Sequence, residues 1–271
     1  MLNSLRIGVD CSFHSPCIEL NYYDEGSGES VVLIHGLGAN LDSWLPQIEA
    51  LSKAYRVIAL DLRGHGNSGH REEEPITLKR FADDISFLLK RKALDKAHFC
   101  GLSMGGLIAL EIFIRYKSRV KSLILSNTTA FYPPPQMLEE RLRLLDTMEL
   151  DDWGKMVAGL TLHPGAPLEL RQKVAQMFAK NQRAPYRQAL ITTFTSDFSW
   201  VLPLIDVPTL ILVGEEDQVT PIGYALFLHR YIKNSVLRVI SGAAHLSNLE
   251  NPAEFNRAIK EHLEQGLRGK A

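Results

Sequence analysis

An α/β fold, with a mostly parallel central sheet, helices on both of its faces and an inserted helical segment, follows from three features of the sequence. Short continuous apolar runs alternate with segments of helical periodicity. Several of the apolar runs end in Gly-rich turns. The alternation stops between residues 128 and 203 and then resumes. Continuous apolar runs fit strands buried on both faces, as parallel strands joined by crossover helices are.

Paired strands are expected over Arg6–Phe13 and Ile18–Tyr23, followed by a turn over Asp24–Glu29. Val31-Val32-Leu33-Ile34 reads as a buried strand running into His35-Gly36-Leu37-Gly38, with a helix near Trp44 to Lys53 after it. A second buried strand, Arg56–Leu60, ends at Asp61-Leu62-Arg63-Gly64-His65-Gly66-Asn67-Ser68. Leu78, Phe81, Ile85 and Leu88 stand at helical spacing, and Thr77 is placed to cap that helix. Strand Ala97–Cys100, a sharp turn, a helix from Gly105 to Tyr116 and strand Val120–Ser126 close this half. Helical segments over Pro135–Leu150 and Leu168–Lys180 fill the interruption. Strands Thr209–Val213 and Val236–Ile240 and a helix over Pro252–Glu264 complete the chain. The expected division is a core formed by 1–127 and 204–271, with a cap at 128–203.

With 45% hydrophobic and 23% charged residues, the chain carries enough apolar surface for a large core without metal or disulfide support. A net charge of −1 leaves no basic footprint for nucleic acid or for an anionic membrane. The longest apolar runs fall short of the roughly 20 residues that span a bilayer, and Met1–Asp10 lacks the layout of a signal peptide. Cys11, Cys17 and Cys100 are an odd and sparse set. Cys11 and Cys17 could meet across a hairpin, but reduced thiols in a cytoplasmic protein are the expectation. Oligomeric state is not legible.

Gly101-Leu102-Ser103-Met104-Gly105 matches G-x-S-x-G between a buried strand and a helix. Such a turn exposes the serine hydroxyl at the sheet edge, and the helix N-terminus behind it favours developing negative charge. A serine needs a base. Of the downstream histidines, His163 lies in the interruption, and His229 and His262 lie in helical patterns. Only His245 follows a late strand in a short Gly/Ala loop. An acid is expected after the preceding strand, where Glu215, Glu216 and Asp217 stand together and spacing does not choose among them. The backbone N–H groups of Met104 and Leu37 are the expected oxyanion donors. His35, Asp61, Arg63 and His65 read as a structural network behind the site.

In order along the chain, His35-Gly36-Leu37-Gly38, Asp61–Ser68, Gly101–Gly106, Gly214–Pro221 and Ala244-His245 resemble the α/β-hydrolase family over nearly its whole length. The resemblance implies the α/β-hydrolase fold, a Ser103–His245–Asp217 triad, with Asp217 at the family's acid position, and no cofactor or metal. Within the family, Ala97–Gly106, Leu125–Thr128 and Ala243–Glu250 are similar to 3-oxoadipate enol-lactonases. Ser103 stands where dehalogenases and epoxide hydrolases of this family carry Asp. Leu102 and Leu246 depart from the Asn and Trp of its C–C hydrolases. The implied activity is hydrolysis of a small ester or lactone through an acyl-enzyme, with a generic carboxylesterase or thioesterase as alternative and a non-catalytic receptor as a remote one. Phe131, Tyr132, Trp153, Phe178, Tyr186 and Trp200 are candidates for the pocket wall, and Arg141, Arg143, Arg183 and Arg187 for a cation facing an anionic substrate.

Overall fold

Strand β2 (Ser30–Ile34) shows how the sequence builds the sheet, for all five of its residues are buried. Val31 and Leu33 enter one apolar cluster, while Val32 and Ile34 enter the other. Alternate side chains therefore feed two cores on opposite faces, which is why the run is apolar throughout. The computed structural model describes residues 18–132 and 136–268. Expectations for Arg6–Phe13, Cys11 and Cys17 lie outside them.

Seven strands form one sheet in the order β1-β3-β2-β4-β5-β6-β7. These are β1 (Tyr22–Glu25), β2, β3 (Arg56–Leu60), β4 (Ala97–Leu102), β5 (Val120–Ser126), β6 (Thr209–Gly214) and β7 (Ser235–Ile240). Every neighbouring pair is parallel except β1 and β3, which run antiparallel. Strand β1 lies later than expected and takes in Asp24 and Glu25. The Asp24 carboxylate explains the extension, because it pairs with Arg56 on β3 at 2.8 Å and with Lys92 at 3.0 Å. On the opposite edge β7 leaves Val236 and Val239 partly exposed.

Helix α1 (Leu45–Leu51) is entered through a 3-10 turn at Leu41–Trp44. It packs with α10 (Pro252–Arg268) on one face of the sheet. Helices α2 (Leu78–Arg91), α3 (Met104–Tyr116) and α8 (Ile222–Tyr231) cover the other. Thr77 caps α2 as expected, its Oγ1 accepting from the Arg80 N–H at 3.1 Å. The short α9 (Ser247–Glu250) precedes α10.

Between β5 and β6 stand four helices: α4 (Gln136–Thr147), α5 (Leu150–Thr161), α6 (Leu168–Ala179) and α7 (Arg183–Thr195). The segment read as one helix to Leu150 therefore breaks after Thr147, and Leu150 begins the next. Residues of all four helices help to line the cavity above the sheet edge where Ser103 stands. Among the described residues, no helix is long and apolar enough to cross a membrane.

Candidate active site

Ser103 occupies the turn between β4 and α3 with φ 55° and ψ −118°. A non-glycine residue rarely adopts positive φ, and here the surroundings enforce it. The Ser103 N–H donates to the Ser126 carbonyl at 2.9 Å, and the Thr128 hydroxyl donates to the Ser103 carbonyl at 2.7 Å. The flanking glycines are steric requirements. A Cβ on Gly101 would stand 2.0 Å from the Gly105 carbonyl oxygen, and one on Gly105 would stand 2.1 Å from that of Ile34.

Asp217 and His245 meet between the loops after β6 and β7. His245 Nδ1 lies 2.9 Å from Asp217 Oδ2 and 3.1 Å from Oδ1, and the carboxylate is wholly buried. Oδ1 accepts from the Val219 and Thr220 N–H groups at 2.8 and 2.9 Å. Oδ2 accepts from the Thr220 hydroxyl at 2.8 Å and from Asn127 Nδ2 at 2.9 Å. Burial alone would raise this carboxyl's pKa. The His245 charge and the surrounding donors outweigh burial and hold it at about 2. Glu215 and Glu216 turn elsewhere, toward the Gly242 N–H and the His163 ring.

The His245 loop is tied to the end of α5. The His245 and Leu246 N–H groups both donate to the Thr161 carbonyl, at 3.0 and 3.2 Å. Glu250 accepts from the Ala244 N–H at 2.8 Å and also from the His163 N–H.

Ser103 and His245 line one cavity between the sheet edge and the inserted helices. Tyr132, Arg141, Phe178 and Tyr186 stand around them. Burial pushes the Tyr132 phenol up to about 12, and its interaction with the Ser103 side chain acts in the opposite direction. In this arrangement no Ser103–His245 hydrogen bond within 3.5 Å forms. Such bonds often tighten only when substrate is present.

Leu37 borders the same cavity, and a Cβ at neighbouring Gly36 would lie 3.3 Å from Ser103 Cβ. Met104 is the buried first residue of α3. Among the described residues neither the Leu37 N–H nor the Met104 N–H has an acceptor.

Behind the site, His35 donates from Nδ1 to the Gly36 carbonyl at 2.7 Å while its Nε2 accepts from the Leu62 N–H at 3.0 Å. Asp61 accepts from the N–H groups of Leu41 and Asn67, and buried Arg63 pairs with Glu74 and Asp84. His65 packs against His35 and Phe81. These four residues hold loops rather than face the cavity. Of the other candidates for the wall, Trp153 packs edge-on behind Tyr186, Phe131 packs against Tyr224 and Phe227, and Trp200 is 59% exposed. Among the described residues no group of three or more His, Cys, Asp or Glu side chains is placed to hold a metal ion.

Asn127, Thr220, Glu250 and Thr161 had no assigned role in the sequence. Asn127 offered one signal, an asparagine directly after a buried strand, since asparagine tolerates the left-handed backbone (φ 45°) found there.

Residues 29–252 match the family model described as alpha/beta hydrolase fold. The chain is 31% identical over 249 residues to 3-oxoadipate enol-lactonase 2 of Acinetobacter baylyi, covering 90% of this chain and 92% of that one. A malate-bound thermophilic esterase from Thermogutta terrifontis superposes with a TM-score of 0.90 at 29% identity, over 97% of this chain and 99% of the esterase. The enol-lactonase from Burkholderia xenovorans superposes with a TM-score of 0.85 at 27% identity, over 91% and 97%. The sheet order, the serine turn and these matches make the chain a member of the α/β-hydrolase family.

Proposed function

We propose that the protein is a serine hydrolase that cleaves a small ester or lactone through an acyl-enzyme, with residues 128–203 acting as a cap over a core of 1–127 and 204–271. The observation that carries this reading is the buried Asp217–His245 pair beside the same cavity as Ser103. Asp217 holds the proton on His245 Nδ1 and leaves the Nε2 lone pair for proton transfer.

Ser103 Oγ attacks the substrate carbonyl while its proton passes to His245 Nε2. The N–H groups of Leu37 and Met104 receive the oxyanion, and one such donor is typically worth about 10²–10³ in turnover. The carbon–oxygen bond to the leaving group then breaks, and the His245 proton goes to that oxygen. From a lactone the leaving oxygen stays tethered to the acyl chain. A water molecule, deprotonated by His245, then attacks the acyl carbonyl; the bond to Ser103 Oγ breaks, His245 returns the proton to Oγ, and the carboxylic acid leaves.

Similarity to two enol-lactonases supports 3-oxoadipate enol-lactone as the first substrate to try. The esterase neighbour keeps simple carboxylic esters as a second class. The test compares hydrolysis of the enol-lactone and of p-nitrophenyl acetate by wild type and Ser103→Ala, with a fluorophosphonate probe mapped by mass spectrometry. Turnover that disappears in Ser103→Ala, with labelling at Ser103, is expected. A folded wild-type protein that neither turns over nor takes up the probe would mean a receptor on this fold. Ester turnover without lactone turnover would keep the mechanism and discard the enol-lactone.

A further inference from the structure

Among the described residues, the cavity beside Ser103 is lined by one Lys or Arg side chain, Arg141, and by no carboxylate. Arg141 extends from α4, the first helix after β5, and the other three candidate arginines of the insertion are engaged elsewhere. Arg143 pairs with Glu140 at 2.7 Å, Arg187 with Asp146 at 3.4 Å, and Arg183 donates to the Met148 carbonyl at 2.8 Å. Among the described residues Arg141 has no carboxylate partner. Its guanidinium carbon lies 5.1 Å from the centre of the Phe194 ring, and Phe194 stacks on Tyr132 with centroids 4.4 Å apart. The ring contact holds the guanidinium beside the cavity but satisfies none of its hydrogen-bond donors. Its charge acts on the phenols of both Tyr132 and Tyr186, which places it in the field of the cavity.

Arg141 is half-buried at the cavity wall, and its planar fork of donors matches a carboxylate in two-point contact. We infer that Arg141 reads a carboxylate on the substrate, so that the protein acts on acyl compounds carrying a second, ionised acid group at the end away from the scissile bond. The inference rests on the reaction proposed above and specifies its substrate class. Phe178 and Tyr186 supply the apolar wall for the chain between the two groups.

The test uses two esters of equal acyl length, mono-p-nitrophenyl adipate and p-nitrophenyl hexanoate, which differ in a terminal carboxylate or methyl group. Wild type is expected to favour the adipate ester in kcat/KM. In Arg141→Gln the adipate-to-hexanoate ratio falls about 10- to 100-fold, the range for a hydrogen bond to a charged group. Arg141→Lys restores part of the ratio, since charge returns without the fork. Free adipate inhibits hexanoate hydrolysis competitively, and its inhibition constant rises in Arg141→Gln by a similar factor. A ratio unchanged in Arg141→Gln, or a wild-type preference for hexanoate, would overturn the inference. If wild type hydrolyses neither ester, the serine-hydrolase reading fails instead. Calorimetric titration of wild type and Arg141→Gln with adipate then decides whether Arg141 holds a carboxylate, with equal affinity in both proteins counting against it.

Discussion

Asn127 Nδ2 donates to Asp217 Oδ2 at 2.9 Å and to the Ala244 carbonyl at 3.1 Å, so a single amide ties the acid to the loop that carries His245. The amide is itself held, because Asn127 Oδ1 accepts from the hydroxyls of Ser126 and Ser247 at 2.9 and 2.6 Å. Asn127 does not line the cavity. Asn127→Ala is therefore expected to lower kcat about 10- to 100-fold with little change in KM, the scale of one hydrogen bond to a charged group. Asn127→Gly separates the amide from the backbone, since glycine accepts the φ of 45° without strain. It should match Asn127→Ala in kcat while melting higher. Wild-type turnover in the glycine variant would make the amide dispensable.

Gly105→Ala tests the packing of the serine turn. The new methyl would stand 2.1 Å from the Ile34 carbonyl oxygen, on a central strand whose neighbours are buried on both sides. Overpacking of this kind costs about 3 kcal/mol, and loss of soluble protein or a markedly lower melting temperature is expected. Gly159 in α5 is the control, with open space where its Cβ would go. Gly159→Ala should stabilise the protein by about 0.5–1 kcal/mol, the helix preference for alanine over glycine. Equal effects of the two substitutions in thermal unfolding would contradict this.

Acid should weaken the fold through buried histidines, His35 and His65 foremost. Burial lowers His35 to about 4 and His65 to about 3, so both stay neutral in the folded chain where unfolded histidine takes up a proton. Their contribution is complete above the unfolded pKa of about 6.5 and declines as pH falls from there toward 4. Between pH 7.5 and 5 each is expected to remove about 2 kcal/mol of stability. Urea unfolding at the two pH values measures the total, to which His262, lowered by burial to about 4, adds its own part, and His65→Leu should flatten the dependence by one histidine's share. A variant as pH-sensitive as wild type would refute that share for His65.

Much of the sheet was legible because burial on both faces leaves little choice but continuous apolar strands, as in Val31–Ile34 and Val120–Ser126. The helix after Thr77 was legible because its cap and its apolar stripe agree. The end of β1 was not, since an ion pair formed by Asp24 across the sheet overrides the turn-like composition of the segment. Among Glu215, Glu216 and Asp217, spacing made no choice, and the structure sets Asp217 against His245. The donors around that carboxylate escaped notice because Asn127 reaches it across 90 residues of sequence. Within the insertion, Arg141 looked like its neighbouring arginines, and only the placement of Glu140, Asp146 and Met148 sets it apart.

Because the His245 and Leu246 N–H groups both hang from the Thr161 carbonyl, the insertion and the His245 loop share an anchor. Exchange of the insertion between relatives is therefore not a neutral change of roof. A graft that ends before Thr161 to His163 removes the peg on which the imidazole loop rests. A graft that carries those residues but shifts α5 carries the ring off its line to Ser103. Engineering of substrate range in this scaffold should leave the α5 end untouched and recut α4 and α7, where Arg141 and Tyr186 stand.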